Sequence, residues 1–465
     1  MFLVLPVTIL AQVSPGAIIT ADLTLTGNLD ASAYGGSALR VGAHNITIDG
    51  AGFTITVNGN RTGVEITNYS GVTIKNVTVV STTTGQGNGI ALSGSNNGVF
   101  QNNTFTGLNY GVYTSGTNSN NLLSQNNLSG NITGFGTHHY GTNNDWTITG
   151  NNFTNSTGWA FQTRGRVAEL DNNDFRNSGY GVNIDAANYG VGSDFVMTYQ
   201  GGPDGPNQNF FGGHTNSVMQ LNNSYRINVS DWDFTGLYAS GVDRLTRKAI
   251  ELNAVHNSMF ARNIVTGFQY GIYTQGGSNA STFDGNIASG GGTGFGTHHY
   301  GSNNDVVVIN NDFTNNTGWA FQTRGRVAEL DNNDFRNSGY GVNIDAANYG
   351  VGSDFVMTYQ GGPDGPNQNF FGGHTNSVMQ LNNSYRINVS DWDFTGLYAS
   401  GVDRLTRKAI ELNAVHNSMF ARNIVTGFQY GIYTQGGSNA STFDGNIASG
   451  GGTGFGTHHY GSNND

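Results

Sequence analysis

Gly followed by an apolar residue recurs at Gly63, Gly89, Gly111, Gly134, Gly158 and Gly181, at spacings of 26, 22, 23, 24 and 23 residues. So short a period constrains the fold strongly, because each unit is too small to bury a core of its own and must stack on its neighbours. Leucine-rich repeats share the period but need Leu at fixed offsets, and helical repeats need about 33 residues rich in helix formers. Asn, Gly, Thr and Ser dominate these units, so both alternatives fail on composition.

A longer repeat is superimposed on the short one. Thr157 to Asp305 returns unchanged as Thr317 to Asp465, an offset of 160 residues that marks a recent duplication or an assembly artefact. After Gly181 the short period resumes at Ser217, Lys248, Gly271 and Gly294, which gives six turns per long unit, two of them enlarged by about 13 and 8 residues. GFGTHHYGTNND at Gly134 to Asp145 returns as GFGTHHYGSNND at Gly294 and again at Gly454, where the sequence stops inside the motif; a truncated C-terminus is expected.

The residues after each marker alternate in strand fashion, as in GIAL at Gly89, GVYT at Gly111, GVNI at Gly181, AIEL at Ala249 and GIYT at Gly271. Alternation points Ile90/Leu92, Val112/Thr114, Phe135/Thr137, Trp159/Phe161 and Val182/Ile184 inward. Each pair would stack on its counterpart one rung away at ~4.8 Å. Further along each rung come Asn-rich punctuation and a second short strand: QNNTF at Gln101, NNF at Asn151, DNNDF at Asp171 and ARNI at Ala261. Asn and Gly suit turns with a left-handed backbone, and Asn amides can hydrogen-bond along a stack of such turns.

The pattern G-[IV]-x-[LIT]…NN-x-[FI]-x-N resembles the right-handed parallel β-helix repeat of the pectate-lyase-like superfamily, in its NosD-like and carbohydrate-binding-and-sugar-hydrolase branch. TADLTLTGNLDASAYGGSALRVGAHNITIDGAGFTI, from Thr20 to Ile55, is similar to the first coils of such domains. The resemblance covers nearly all of the chain after Ala17. It implies an all-β, right-handed parallel β-helix solenoid of three faces per turn and about 23 residues per rung, with roughly 18 rungs. The expected organisation is a signal peptide over 1–14 and one β-helix over 15–465, with 146–305 duplicated as 306–465. Function stays open, because this fold hosts lyases, hydrolases, epimerases, adhesins and inert spacers.

Charge and composition narrow the partners. Charged residues make up 11% of the chain, the formal net charge is −11, and the 19 Lys and Arg are scattered singly, which excludes a phosphate-binding stripe and with it nucleic acid. Gly (71) and Pro (6) together fall short of the ~25–30% of a disordered low-complexity chain, and 36% hydrophobic residues suffice for a core. Phe2 to Leu10 is a short apolar run followed by Ala11, the pattern of a signal peptide without its basic start. An extracellular, cell-surface or periplasmic location is expected. Nothing approaches the ~18 apolar residues of a transmembrane helix. Sequons at Asn45, Asn60, Asn68, Asn76, Asn127, Asn131 and Asn152 agree with an exterior chain.

Alternation also names an outward polar ladder on the same sheet: His138, Gln162, Asp185, Asn222, Asn253, Gln275, His298, Gln322 and Asp345. With HHY and QTRGR alongside, His138, His139, Tyr140, Arg164 and Asp185 would lie on three adjacent rungs, within about 10 Å. The second copy is His298, His299, Tyr300, Arg324 and Asp345. Such a set suits acid–base work on a sugar acid: Arg neutralises a carboxylate and His or Tyr moves the carbon-bound proton. Polysaccharide lyases and epimerases of the resembled superfamily use that logic, but the polygalacturonase GHG/RIK pattern and the epimerase DPH motif are absent. The plainer alternative is a solvated face with Arg164 and Asp185 as an ion pair worth under about 1 kcal/mol.

The enlargement at 187–216, repeated at 347–376, is expected to be a long loop. Its Tyr189, Tyr199, Phe210 and Phe211, with Gln162 and Arg166, are candidate sugar-binding residues, the aromatics walling a groove. No metal site is expected: His138 and His139 are adjacent and would face opposite ways on a strand. Copper, which the NosD name suggests, finds no Cys and no Met cluster; single calcium ions in Asp/Asn turns stay open as an alternative, without the GGxGxD repeat that would make them a strong expectation. The chain is read as a monomeric exported protein that binds polysaccharide or serves as an adhesin-like surface protein. The alternatives are a polysaccharide lyase, epimerase or glycoside hydrolase on the same fold, and an inert stalk.

Overall fold

Alternation becomes strand wherever the repeat runs. The computed structural model describes residues 12–138, 141–185, 197–200, 209–234, 247–297, 303, 305–325, 327–345, 357–360, 369–392, 394 and 407–457. Among them every regular element is a β-strand. They fall into two units, the first built from residues up to 185 with 209–214, the second from 197–200 and from 215 onward.

In the first unit one face is a ladder of parallel strands: Ala17–Ile19, Leu39–Val41, Thr62–Thr67, Asn88–Ser93, Tyr110–Ser115, Thr133–Thr137, Trp159–Arg164 and Tyr180–Asp185. A second face runs from Leu23–Thr24 to Val167–Asp171. The third begins as Leu29–Asp30, Thr54–Val57, Thr78–Ser81 and Thr104–Thr106, then thins to single bridges joining Thr104, Asn127, Asn152, Asp174 and Phe210. Three faces per turn and parallel pairing make this a β-helix, of the right-handed sense that parallel crossovers take. The second unit repeats the plan, its long-strand face running from Met219–Tyr225 to Thr453–Thr457.

The core column is set by register. Val64, Ile90, Val112, Phe135, Phe161 and Val182 are aligned rung on rung and fully buried. Each such side chain contributes about 1.5–3 kcal/mol by leaving water. The marker glycine is selected by crowding: a Cβ on Gly111 would lie 2.6 Å from the Gly134 carbonyl oxygen and 2.8 Å from Leu128 Cδ2.

One expected inward residue is corrected. Trp159 pairs with Tyr180 and Phe161 with Val182, so Ala160 holds the position of the marker and Gly158 lies two residues ahead of it. Phe161 and Thr163 therefore point inward, and Trp159 stands half-buried at the strand's start.

The corners use Asn as expected. Asn45, Asn68, Asn76, Asn97 and Asn102 are among many Asn with φ between 49° and 62°. Beside them a second set is buried as an amide ladder: Asn103 donates to Asn126 at 3.0 Å, Asn126 to Asn151 at 2.9 Å, Asn151 to Asn173 at 3.0 Å and Asn173 to Asn209 at 3.1 Å. The second unit repeats it through Asn263, Asn286, Asn311, Asn333 and Asn369. Each amide also bonds backbone groups, which is how polar side chains sit in the wall without a desolvation penalty.

The enlargement is only partly a loop. Met197–Gln200 is a strand in parallel register with Ile227–Ser230, and its copy Met357–Gln360 pairs with Ile387–Ser390. The run Met-Thr-Tyr-Gln takes a place on the second face of the second unit. At its far end Asn209 closes the first amide ladder and Phe210 bridges Asp174 on the third face.

Candidate functional site

On the long-strand face three positions of each rung point outward, and register stacks them into columns. The first column, at the strand start, reads Asn88, Tyr110, Thr133, then Trp159 and Tyr180 in the first unit. In the second unit it reads Lys248, Tyr270, Thr293, then Trp319 and Tyr340. Phe135 pairs with Phe161 and Phe295 with Phe321, which sets Thr133 beside Trp159 and Thr293 beside Trp319.

The Trp159 and Tyr180 rings stack at 4.4 Å, as do Trp319 and Tyr340. Tyr covers one face of each Trp, and register puts the small Thr133 or Thr293 on the rung at its other side. Tyr110 and Tyr270 start one rung beyond that Thr, two rungs or about 10 Å along the backbone from the Trp. Tyr110 and Tyr270 lie over Gly136 and Gly296, where any Cβ would collide with the ring at 2.4 Å and 2.8 Å.

The expected polar ladder resolves into two columns. Gln162 aligns with Gly136 and Asn183, whereas Asp185 aligns with Arg164 two residues further along the strand. Gln322 and Asp345 are divided in the same way. Asn222, Asn253 and Gln275 align with one another and, within the second unit, fall in the column of Arg324 and Asp345. His138 follows Thr137, whose hydroxyl lies 3.5 Å from that of Thr163, and so stands on the rung next to Arg164. Its ring meets Tyr113 edge-on at 6.3 Å. Arg164 and Asp185 approach to 3.6 Å, Arg324 and Asp345 to 3.2 Å, all partly exposed. His139, Tyr140, Tyr189, His298, His299 and Tyr300 lie outside the described residues.

Arg166 is not part of this array. Gly165, at φ 101°, turns the chain off the strand, and a Cβ there would sit 2.2 Å from the Asn143 carbonyl oxygen. Arg166 then pairs with Asp145. Tyr199 lies in the second-face strand Met197–Gln200. Phe210 and Phe211 belong to the third face: Arg176 covers Phe210 at 5.4 Å, and Phe211 packs on Phe175 at 5.3 Å. The expected aromatic wall beside Arg164 is therefore not formed by Phe210 and Phe211, which the amide ladder and the bridge to Asp174 carry to the third face.

Sequence reasoning missed a cluster in the second unit. Glu251 is 7% exposed on the outward side of its strand, and its Oε1 accepts from Lys248 Nζ at 2.7 Å and from Gln275 Nε2 at 3.1 Å. Lys248 Nζ also lies 4.1 Å from the centre of the Tyr273 ring. Burial, Tyr270 and Glu251 together push the Tyr273 hydroxyl up to about 12. The copy is complete: Lys408 to Glu411 at 2.6 Å, Gln435 to Glu411 at 3.1 Å, Lys408 over Tyr433 at 4.2 Å. The available signal was the opposite charges of Lys248 and Glu251 in KAIEL, which come together because alternation is broken by the two consecutive buried residues Ala249 and Ile250.

This arrangement is that of a parallel β-helix with a side-chain-bearing strand face. Residues 20–203 match the family model described as "Periplasmic copper-binding protein (NosD)", which bears out the resemblance over that stretch. No curated protein matches the sequence significantly. Among solved structures the chain is similar to the Dettilon tailspike protein, at 12% identity and TM-score 0.20 over 95% of this chain, spanning 61% of that protein. It is similar to the A-module of the Azotobacter vinelandii mannuronan C-5 epimerase AlgE6, at 12% identity and TM-score 0.20, covering 97% of this chain and 87% of the module. Alginate lyase AlyF-OU02 is matched at 11% identity and TM-score 0.24, covering 94% and 80%. Overlaps this low carry no inference about activity.

Proposed function

We propose that the protein binds polysaccharide outside the cytoplasm, with the glycan lying along the long-strand face. The observation that carries this reading is the aromatic-flanked slot formed by Tyr110, Thr133 and Trp159 and repeated by Tyr270, Thr293 and Trp319. An indole with a small hydroxyl side chain on the neighbouring rung suits the apolar face of a pyranose, while the polar columns beside it supply partners for its hydroxyls. The NosD match, whose printed description is periplasmic, supports the location.

Binding is favoured over turnover because Arg164, the candidate charge stabiliser, engages Asp185 of the same candidate set. A guanidinium held this way is already neutralised by its own chain. The copper of the matched model's description does not fit the described residues. The chain has no Cys, and no three His, Asp or Glu side chains converge among the described residues. His44, His256 and His416 spend Nδ1 accepting backbone N–H groups, and His214 and His374 direct Nδ1 to backbone carbonyls.

The test is a panel of polysaccharides scored for binding and, on the same polymers, for new reducing ends and unsaturated products. Binding without product is expected, and replacing Trp159 and Trp319 together by Ala is expected to weaken it at least about tenfold. Failure to bind any polymer would refute the reading.

A further inference from the structure

We propose that the Lys248–Glu251–Tyr273–Gln275 cluster and its copy Lys408–Glu411–Tyr433–Gln435 are hydroxyl-recognition subsites selecting a neutral, hydroxyl-rich glycan over an acidic one. The inference rests on the glycan-binding reading and adds the substrate class to it.

Three observations support the assignment. Position comes first: Lys248 occupies the rung directly before Tyr270, in register with it, so the cluster borders the Tyr270–Thr293–Trp319 slot on the same outward face. The second is preorganisation. Two donors converge on Glu251 Oε1, and the Lys248 ammonium is held at the same time against the Tyr273 ring, so the carboxylate is fixed before any ligand arrives. Fixed partners lower the ordering cost of binding.

The third is the inventory of what is left. Glu251 Oε2 and Gln275 Oε1 carry no hydrogen bond among the described residues. Both are acceptors only, the chemistry that receives sugar hydroxyls. A uronate carboxylate has no proton to give them. It would also stand beside a nearly buried carboxylate whose ammonium is already engaged, and like charges at short range repel.

Two clusters on one unit deepen the argument. From the Lys248 rung the column passes Tyr270, Thr293, Trp319, Tyr340 and Ser377 before it reaches Lys408, which places the copies about 29 Å apart at the usual strand spacing. One extended chain could engage both, gaining avidity through effective concentration.

The test uses the full chain and compares neutral hexasaccharides (cellohexaose, maltohexaose, laminarihexaose) with polygalacturonate and alginate by titration calorimetry. The variant is Lys248→Asn/Glu251→Ala/Lys408→Asn/Glu411→Ala, which installs the pair that already stands folded at Asn88 and Ala91. The expected result is binding of a neutral oligosaccharide by the wild type and a loss of at least about tenfold in the variant. Neutral binding that survives in this variant but is lost in Trp159→Ala/Trp319→Ala would overturn the cluster and leave the slot standing. Preference for an acidic polymer would overturn the neutral class. No binding to any polymer by the wild type would remove both.

Discussion

The rung pair Asn88–Ser93/Tyr110–Ser115 and the pair Lys248–Asn253/Tyr270–Gln275 lie 160 residues apart and share a backbone and a tyrosine pair, yet differ in chemistry. Tyr110 meets Tyr113 at 5.1 Å and Tyr270 meets Tyr273 at 4.8 Å. Where the first has Asn88, Ala91 and Ser115, the second has Lys248, Glu251 and Gln275. Ile90 and Ile250, both fully buried, hold the same place inside. Inward positions and the amide ladder build the rung; outward positions are free to carry function, because changing them leaves register untouched.

If that division holds, damage to the wall should cost the same in both regions. Asn126→Ala and Asn286→Ala each strand several buried partners and are expected to lose about 4 kcal/mol, equal to within about 1 kcal/mol, by urea denaturation. A much smaller loss at one site would mean that the two walls are built differently.

Acid should act on the wall as well. His214 and His374 are fully buried, and burial pushes each imidazole down to about 4. Both are neutral when folded, while an unfolded imidazole takes up its proton near 6.5. Their contribution is therefore complete above pH 6.5 and is lost as the pH falls toward 4, about 3 kcal/mol for each ring. The denaturation midpoint should fall over that window, and His214→Asn with His374→Asn should flatten the decline. A slope unchanged by these substitutions would assign the acid sensitivity to other groups.

Outward changes should be smaller and should compensate. Glu251→Ala leaves the partly buried Lys248 without its carboxylate and is expected to cost about 1–2 kcal/mol. Adding Lys248→Asn should restore most of it, since that pair is the one found at Asn88 and Ala91. Failure to recover would show that the second region depends on its ion pair in a way the first does not. Arg164→Ala, which breaks a partly exposed pair, should cost under about 1 kcal/mol by the same measurement.

Much of this was legible in the sequence. The Gly period and the inward Ile90, Val112 and Val182 follow from alternation, and the amide ladder from Asn at fixed places in each rung. Trp159 was misplaced because Gly158 imitates the marker two residues early, and only hydrogen-bonded register separates the two phases. The Glu251 cluster was only partly legible. The phase that sets Ala249 beside Gly271 places Tyr273 opposite Glu251, but that Lys248 and Gln275 both bend onto the one carboxylate oxygen is a matter of side-chain conformation, which sequence does not show.

The central claim, that outward columns carry the function on an interchangeable wall, is tested most directly by hydroxyl-radical footprinting of the intact protein with and without a bound neutral oligosaccharide. The account predicts protection of the outward aromatic residues Tyr110, Trp159, Tyr270 and Trp319 of the long-strand face. No protection at these residues, or protection confined to peptides of the second and third faces, would contradict it.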